Sequence, residues 1–329
     1  MKRLCFAMAV GIATFASTGL AHQDPTAASY KVLKTVRVGG AGAFDYVYAD
    51  VEGRRLYIPR RDGAGQINVF NLDTLESVGV IPKTSARGAA VDPASGHGFS
   101  SSKPVVMWDA KTLATIKTID VQGSPDAILF DPFNARVYVL SHSSPNATVI
   151  NAADGTVAGT IDLGGQPEQA VTDGQGHVYI ALEDKSQIAV VDAKTMKVTA
   201  HWDLGGKGGE PAGLAFDVKN HVLFAACAKP AAFVMLSSDD GKIITSLPIG
   251  SGTDGAVFNP ATMEAFSANR DGTLTVVKEN SPTSFVVAQN VQTKSGAKTL
   301  TLDTRTNQLF LITADRPIGD SFSILVVGK

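Results

Sequence analysis

One motif recurs seven times in this chain and restricts what it can fold into. An Asp or Asn anchor is followed six or seven residues later by an aromatic that opens an apolar run. The pairs are Asp50/Tyr57, Asp92/Phe99, Asp131/Tyr138, Asp173/Tyr179, Asp217/Phe224, Asn259/Phe266 and Asp303/Phe310. Successive anchors are 42, 39, 42, 44, 42 and 44 residues apart. A period of about forty residues in strand-like sequence is the mark of sheets repeated around an axis. The chain therefore reads as an all-β, seven-bladed β-propeller with four antiparallel strands per blade.

The fourth repeat displays the unit. Ala170-Val-Thr172 is a short strand, Asp173-Gly-Gln-Gly176 a turn and His177 to Leu182 a second strand. Glu183 to Ser186 is a polar loop, Gln187 to Val191 a third strand, and Lys197 to Leu204 the fourth. Asp92-Pro93, Asp131-Pro132 and Asn259-Pro260 repeat the turn chemistry, in which a short side chain caps the turn and proline presets φ. A residue present in every repeat maintains the repeat, so the anchors are assigned to structure rather than to chemistry.

The chain ends fit a closed ring. The last repeat supplies only three strands. Lys31 to Gly40 aligns without a gap on Lys197 to Gly206, the fourth strand of the fourth repeat. The N-terminal strand is expected to complete the last blade and remove an open sheet edge. Ahead of it, Lys2 and Arg3, the apolar run Leu4–Ala16 and Gly19-Leu-Ala21 have the layout of a secretory signal peptide. The expected organisation is a signal peptide at 1–21, a flexible segment at 22–29 and one propeller at 30–329. The product is expected in the periplasm or secreted, as a monomer with no membrane span. Without Lys2 and Arg3 the 29 basic residues become 27, against 31 acidic ones, a net charge of −4 that argues against a general polyanion binder. Cys227 is then the remaining cysteine, so no internal disulfide is expected.

At this level the chain resembles the YVTN-type seven-bladed propeller repeat family of secreted bacterial proteins. Arg136-Val-Tyr-Val139, His177-Val-Tyr-Ile180, Ile188-Ala-Val-Val-Asp192 and Gly165-Gln-Pro-Glu168 carry the resemblance, which runs from about residue 30 to the end. Gly98-Phe-Ser and Ala265-Phe-Ser depart from it in the second and sixth repeats. The resemblance implies the fold. Such propellers include surface proteins and nucleic-acid-binding candidates, and related propellers include lactonases and haem or quinone enzymes.

The repeat also locates a site. Five residues before each anchor stand Asp45, Arg87, Asp126, Glu168, Ala212, Asp254 and Lys298, which should ring the channel mouth. The slot changes identity but keeps charge in six of seven repeats. Such a slot is either a solvated rim whose charges pair with each other, the favoured reading, or a binding position. The loops between strands two and three share this face and bring Arg60, Lys103, His142, Glu183, Lys229, Arg270 and Arg316. Three functions follow. The leading one is a non-catalytic binding or scaffold protein using the mouth and these loops, with an unspecified protein or small molecule as partner. The second is a metal-dependent hydrolase of the lactonase type, with Asp126, Glu168 and Asp254 holding Ca²⁺ or another divalent cation and His142 as general base. The third is single-stranded nucleic-acid binding through the basic loops. No resident cofactor is predicted. His97, His177 and His221 fall on the opposite face and His201 in an outer strand, so a multi-histidine metal site or bis-histidine haem is not expected. Trp108 and Trp202 align with core positions of other repeats and read as packing residues.

Overall fold

A computed structural model describes residues 1, 29–40, 43–61, 65–314 and 322–329. Residues 2–21 of the expected signal peptide, residues 22–28 of the expected flexible segment, and Arg316 in the last loop lie outside the described residues. Among the described residues, twenty-eight strands form seven four-stranded antiparallel sheets. The first six blades are continuous in sequence, at 48–82, 89–119, 125–162, 167–203, 211–248 and 253–292. The seventh combines three strands within 300–328 with Lys31–Arg37 as its outermost strand. Closure follows the expected register, with Lys31 opposite Gly328 and Arg37 opposite Ser323. The gapless alignment extends to the backbone: Gly39, Gly40, Gly205 and Gly206 all have φ between 61° and 76°. Tyr30 pins the start of the closing strand. Its ring is edge-on to Phe266, and its hydroxyl donates to Glu264 Oε2 at 2.6 Å.

The seven anchors act as the repeat implies. Each accepts a backbone N–H from two or three residues on, at 2.7–3.2 Å. This satisfies turn donors that the sheet ladder cannot reach. The seven paired aromatics are at most 3% exposed and fill the space between adjacent sheets. Burying each contributes roughly 1.5–3 kcal/mol. Some anchors also bridge blades. Arg54 of blade one clasps Asp303 of blade seven at 2.7 and 3.0 Å, across the seam where the ring closes.

The departure in the second repeat has a steric cause. Gly98 lies opposite Trp108 on the neighbouring strand, and a Cβ at Gly98 would sit 2.1 Å from the indole. Blade two therefore replaces a branched residue with glycine to admit a fully buried tryptophan. Trp202 packs on the core between blades four and five beside Tyr179, and part of it is exposed along a groove.

Candidate functional site at the channel mouth

The innermost strands of blades three to six each begin with a residue paired to strand two, then slip register. The slips lie between Pro125 and Ile128, Pro167 and Ala170, Pro211 and Gly213, and Thr253 and Gly255. The ring residues Asp126, Glu168, Ala212 and Asp254 occupy these bulges. A bulge releases a residue from the ladder and re-aims its side chain. In blades one, two and seven the equivalent Asp45, Arg87 and Lys298 precede the first strand.

The ring is a network rather than seven separate charges. Arg87 Nη1 lies 2.7 Å from Asp126 and 3.3 Å from Asp45. Lys298 Nζ bonds Asp254 and lies 3.2 Å from Asp45. Arg61 adds a third cation at 3.9 Å from Asp45. The sequence reading of charges that pair around the rim thus describes blades six, seven, one, two and three. Of the proposed cation ligands, Asp126 and Asp254 are each engaged by a ring cation, and the structure does not gather them with Glu168 around one point.

Glu168 is different, because neither ring cation meets it. It accepts a 2.6 Å hydrogen bond at Oε2 from the Tyr46 hydroxyl, which reaches it from blade one across the channel. Its Oε1 lies 3.3 Å from His142 Nε2. His142 Nε2 is also 3.1 Å from Glu183 Oε2. Burial, and then the nearby Asp126 carboxylate, push Glu168 up to about 8. Burial likewise raises Asp126, although Arg87 opposes it. Tyr46 is held well above its ordinary value by burial and by the Glu168 charge.

The positions immediately after the ring residues explain how side chains cross the channel. They are Tyr46, Gly88, Ala127, Gln169, Gly213, Gly255 and Thr299. Tyr46 and Gln169 are large, and most of the others are small. A Cβ on Gly213 would lie 2.8 Å from the Gly255 carbonyl carbon, so these inner strands approach closely only without side chains. The Gln169 amide uses that space. Its Oε1 accepts from Leu214 N at 3.0 Å and Ala256 N at 2.9 Å, and its Nε2 donates to Ala256 O at 2.9 Å. One side chain thus ties blades four, five and six below the mouth.

The remaining loop candidates are dispersed. Arg60 is buried, with its guanidinium 4.1 Å from the Phe322 ring centroid. Arg270 is exposed on the blade-six loop. Lys103 bonds Gly123 O at 3.2 Å, and Lys229 pairs with Glu210 at 3.1 Å. On the opposite face, a groove of about 580 Å³ between blades four and five is lined by Tyr179, Trp202, Phe216, His177 and His221. Its two histidines are tied to Asp173 and Asp239 at 2.8 and 2.6 Å. The sequence presents Glu183 as one loop residue among several and singles out neither Gln169 nor Tyr46 as a partner of Glu168. Aligning the position after the ring slot would have exposed the last two as large residues among small ones.

The fold and mouth define a closed seven-bladed β-propeller. No family model matches the chain, and no curated protein matches it. Among solved structures it is similar to "Structure of U3-55K", at 10% identity over 90% of this chain and 98% of that one, with a TM-score of 0.73. It is similar to "Crystal structure of RRP9 WD40 repeats", at 11% identity over 91% and 97%, with a TM-score of 0.73. It is also similar to a chain of "Crystal Structure of Mitotic Checkpoint Complex", at 9% identity over 97% and 99%, with a TM-score of 0.74. At these identities the likeness is one of fold.

Proposed function

We propose that the chain is an exported, non-catalytic binding propeller of the YVTN-repeat type. It takes its ligand at the channel mouth, through a cationic group seated between blades three and four. The observation that carries this reading is the unequal neutralisation of the ring. Asp45, Asp126 and Asp254 each have Arg87 or Lys298 opposite, whereas Glu168, with Glu183 beside it, has the Tyr46 hydroxyl and, as its one basic neighbour among the described residues, His142. Burial favours the protonated form of Glu168, so a ligand carrying positive charge completes this arc by displacing that proton, and one carrying negative charge meets two carboxyl groups. Export rests on the signal-peptide-like start of the sequence. The fold, which the similar WD40 structures share, suits a rigid platform with variable loops.

The hydrolase reading is less favoured, because Asp126 and Asp254 are already held by Arg87 and Lys298. Nucleic-acid binding is less favoured because Arg60 is buried against Phe322 rather than presented. The test is a thermal-shift screen of amine-bearing and anionic ligands and of basic and acidic peptides, joined to partner capture from a periplasmic extract. Stabilisation by cationic ligands that is lost in Glu168→Gln and Glu183→Gln supports the reading. A full screen in which no interaction responds to any substitution at the mouth would sink it.

A further inference from the structure

We propose that His142, Glu168 and Glu183 form a site for one first-row divalent transition ion, with zinc or manganese as the reference cations. The inference rests on the mouth being a ligand site and names the cation that its unneutralised arc takes.

Geometry is the first argument. The three donor atoms lie within 4.8 Å of one another. His142 Nε2 is 3.3 Å from Glu168 Oε1 and 3.1 Å from Glu183 Oε2. With metal–ligand bonds of about 2.0–2.2 Å, neighbouring donors around an ion stand roughly 3.0 Å apart in octahedral and 3.4 Å in tetrahedral geometry. Both of these edges fall in that interval, and rotation of the Glu183 carboxyl sets the third.

The support around the donors is the second argument. His142 and Glu183 each follow the second strand of their blade, at Arg136–Ser141 and His177–Leu182. Their backbone N–H groups are fixed by Ser124 O at 3.2 Å and Gln166 O at 2.9 Å. Glu168 is aimed by its bulge, and the Tyr46 hydroxyl occupies Oε2, leaving Oε1 toward His142. An outer hydrogen bond that orients a ligating carboxylate is a regular part of metal sites. All three residues are half-buried, so the site opens to the channel, where water or a ligand oxygen can complete the coordination.

Donor chemistry selects the ion. One imidazole nitrogen and two carboxylates, without a thiolate, suit zinc, manganese or cobalt. Calcium and magnesium favour an all-oxygen shell. The competing arrangement is an imidazole that only hydrogen-bonds both carboxylates, and such an arrangement takes up no metal.

The experiment uses the full chain, stripped with a chelator and titrated calorimetrically with Zn²⁺, Mn²⁺ and Ca²⁺, with Co²⁺ absorption as a second readout. One equivalent of Zn²⁺ or Mn²⁺ is expected to bind saturably. His142→Ala and Glu183→Gln should each weaken it by at least about 10-fold and change the Co²⁺ spectrum. The double variant His177→Ala/His221→Ala, on the opposite face, should leave it unchanged. Glu183 lies in a surface turn, so its variant tests the site even if Glu168 substitutions unfold the blade. Absence of stoichiometric uptake by the folded chain, uptake that survives His142→Ala, or uptake of Ca²⁺ alone overturns the inference. Cationic ligands or partners bound at the mouth without metal uptake would overturn it while leaving the binding reading intact.

Discussion

Glu279 lies in the strand Thr273–Ser281 of blade six and is 2% exposed. Its Oε1 accepts from Asn220 of blade five at 2.7 Å, while its Oε2 and Asp217 Oδ2 are both buried without another partner. Burial raises Glu279 from 4.5 to about 7, and the Asp217 carboxylate adds to the shift. Protonating Glu279 relieves the repulsion between two buried carboxylates and supplies a donor for Asp217. Between pH 4.5 and 7 the folded chain therefore holds a proton that the unfolded chain has released. Stability must fall as pH rises through that window, and the loss is complete above it. A rise from 4.5 to about 7, at about 1.36 kcal/mol per tenfold change in proton affinity, gives a loss on the order of 3 kcal/mol. Glu279→Gln keeps an acceptor for Asn220 and supplies a permanent donor to Asp217. It should match the parent at pH 4 and exceed it by up to about 3 kcal/mol at pH 8, or roughly 5 °C in Tm. Thermal melts followed by circular dichroism at both pH values measure this. A variant whose difference from the parent does not change with pH, or which is less stable at pH 8, would refute the shared-proton account.

Three further outcomes are expected. Removing residues 31–37 reopens the ring and should lower Tm of the whole propeller by well over about 5 °C, because every blade depends on closure; an unchanged melt would show that the closing strand is dispensable. Gly98→Ala drives a Cβ into Trp108 and should cost about 1–3 kcal/mol, read by chemical denaturation. Gln169→Ala leaves Leu214 N and Ala256 N without their acceptor and should cost about 1–3 kcal/mol, with faster amide exchange at those two sites. A loss confined to fewer than about 0.3 kcal/mol would mean that channel water replaces the amide.

The blade count, the capping anchors, the buried aromatics and the N-terminal closure were all legible because each is a local rule repeated at a fixed period. The positions of the mouth residues were legible for the same reason: a slot five residues before each anchor lands on the same rim in every blade. What the period does not carry is the pairing around that rim. Arg87, Lys298 and Arg61 together face Asp45, Asp126 and Asp254, so three cations balance three of the four ring acids, and the Arg87 and Lys298 contacts span 39 to 253 residues of sequence. The convergence of His142, Glu168 and Glu183 depends likewise on two neighbouring blades and on Tyr46 from the far side of the channel. The sequence by itself determined the repeating unit, its turns and its closure, since backbone and turn chemistry act over a few residues. Only the tertiary structure decided which charges meet. Electrostatic and metal-ligating contacts act over a few ångströms, and ring closure brings together residues that the linear order keeps far apart.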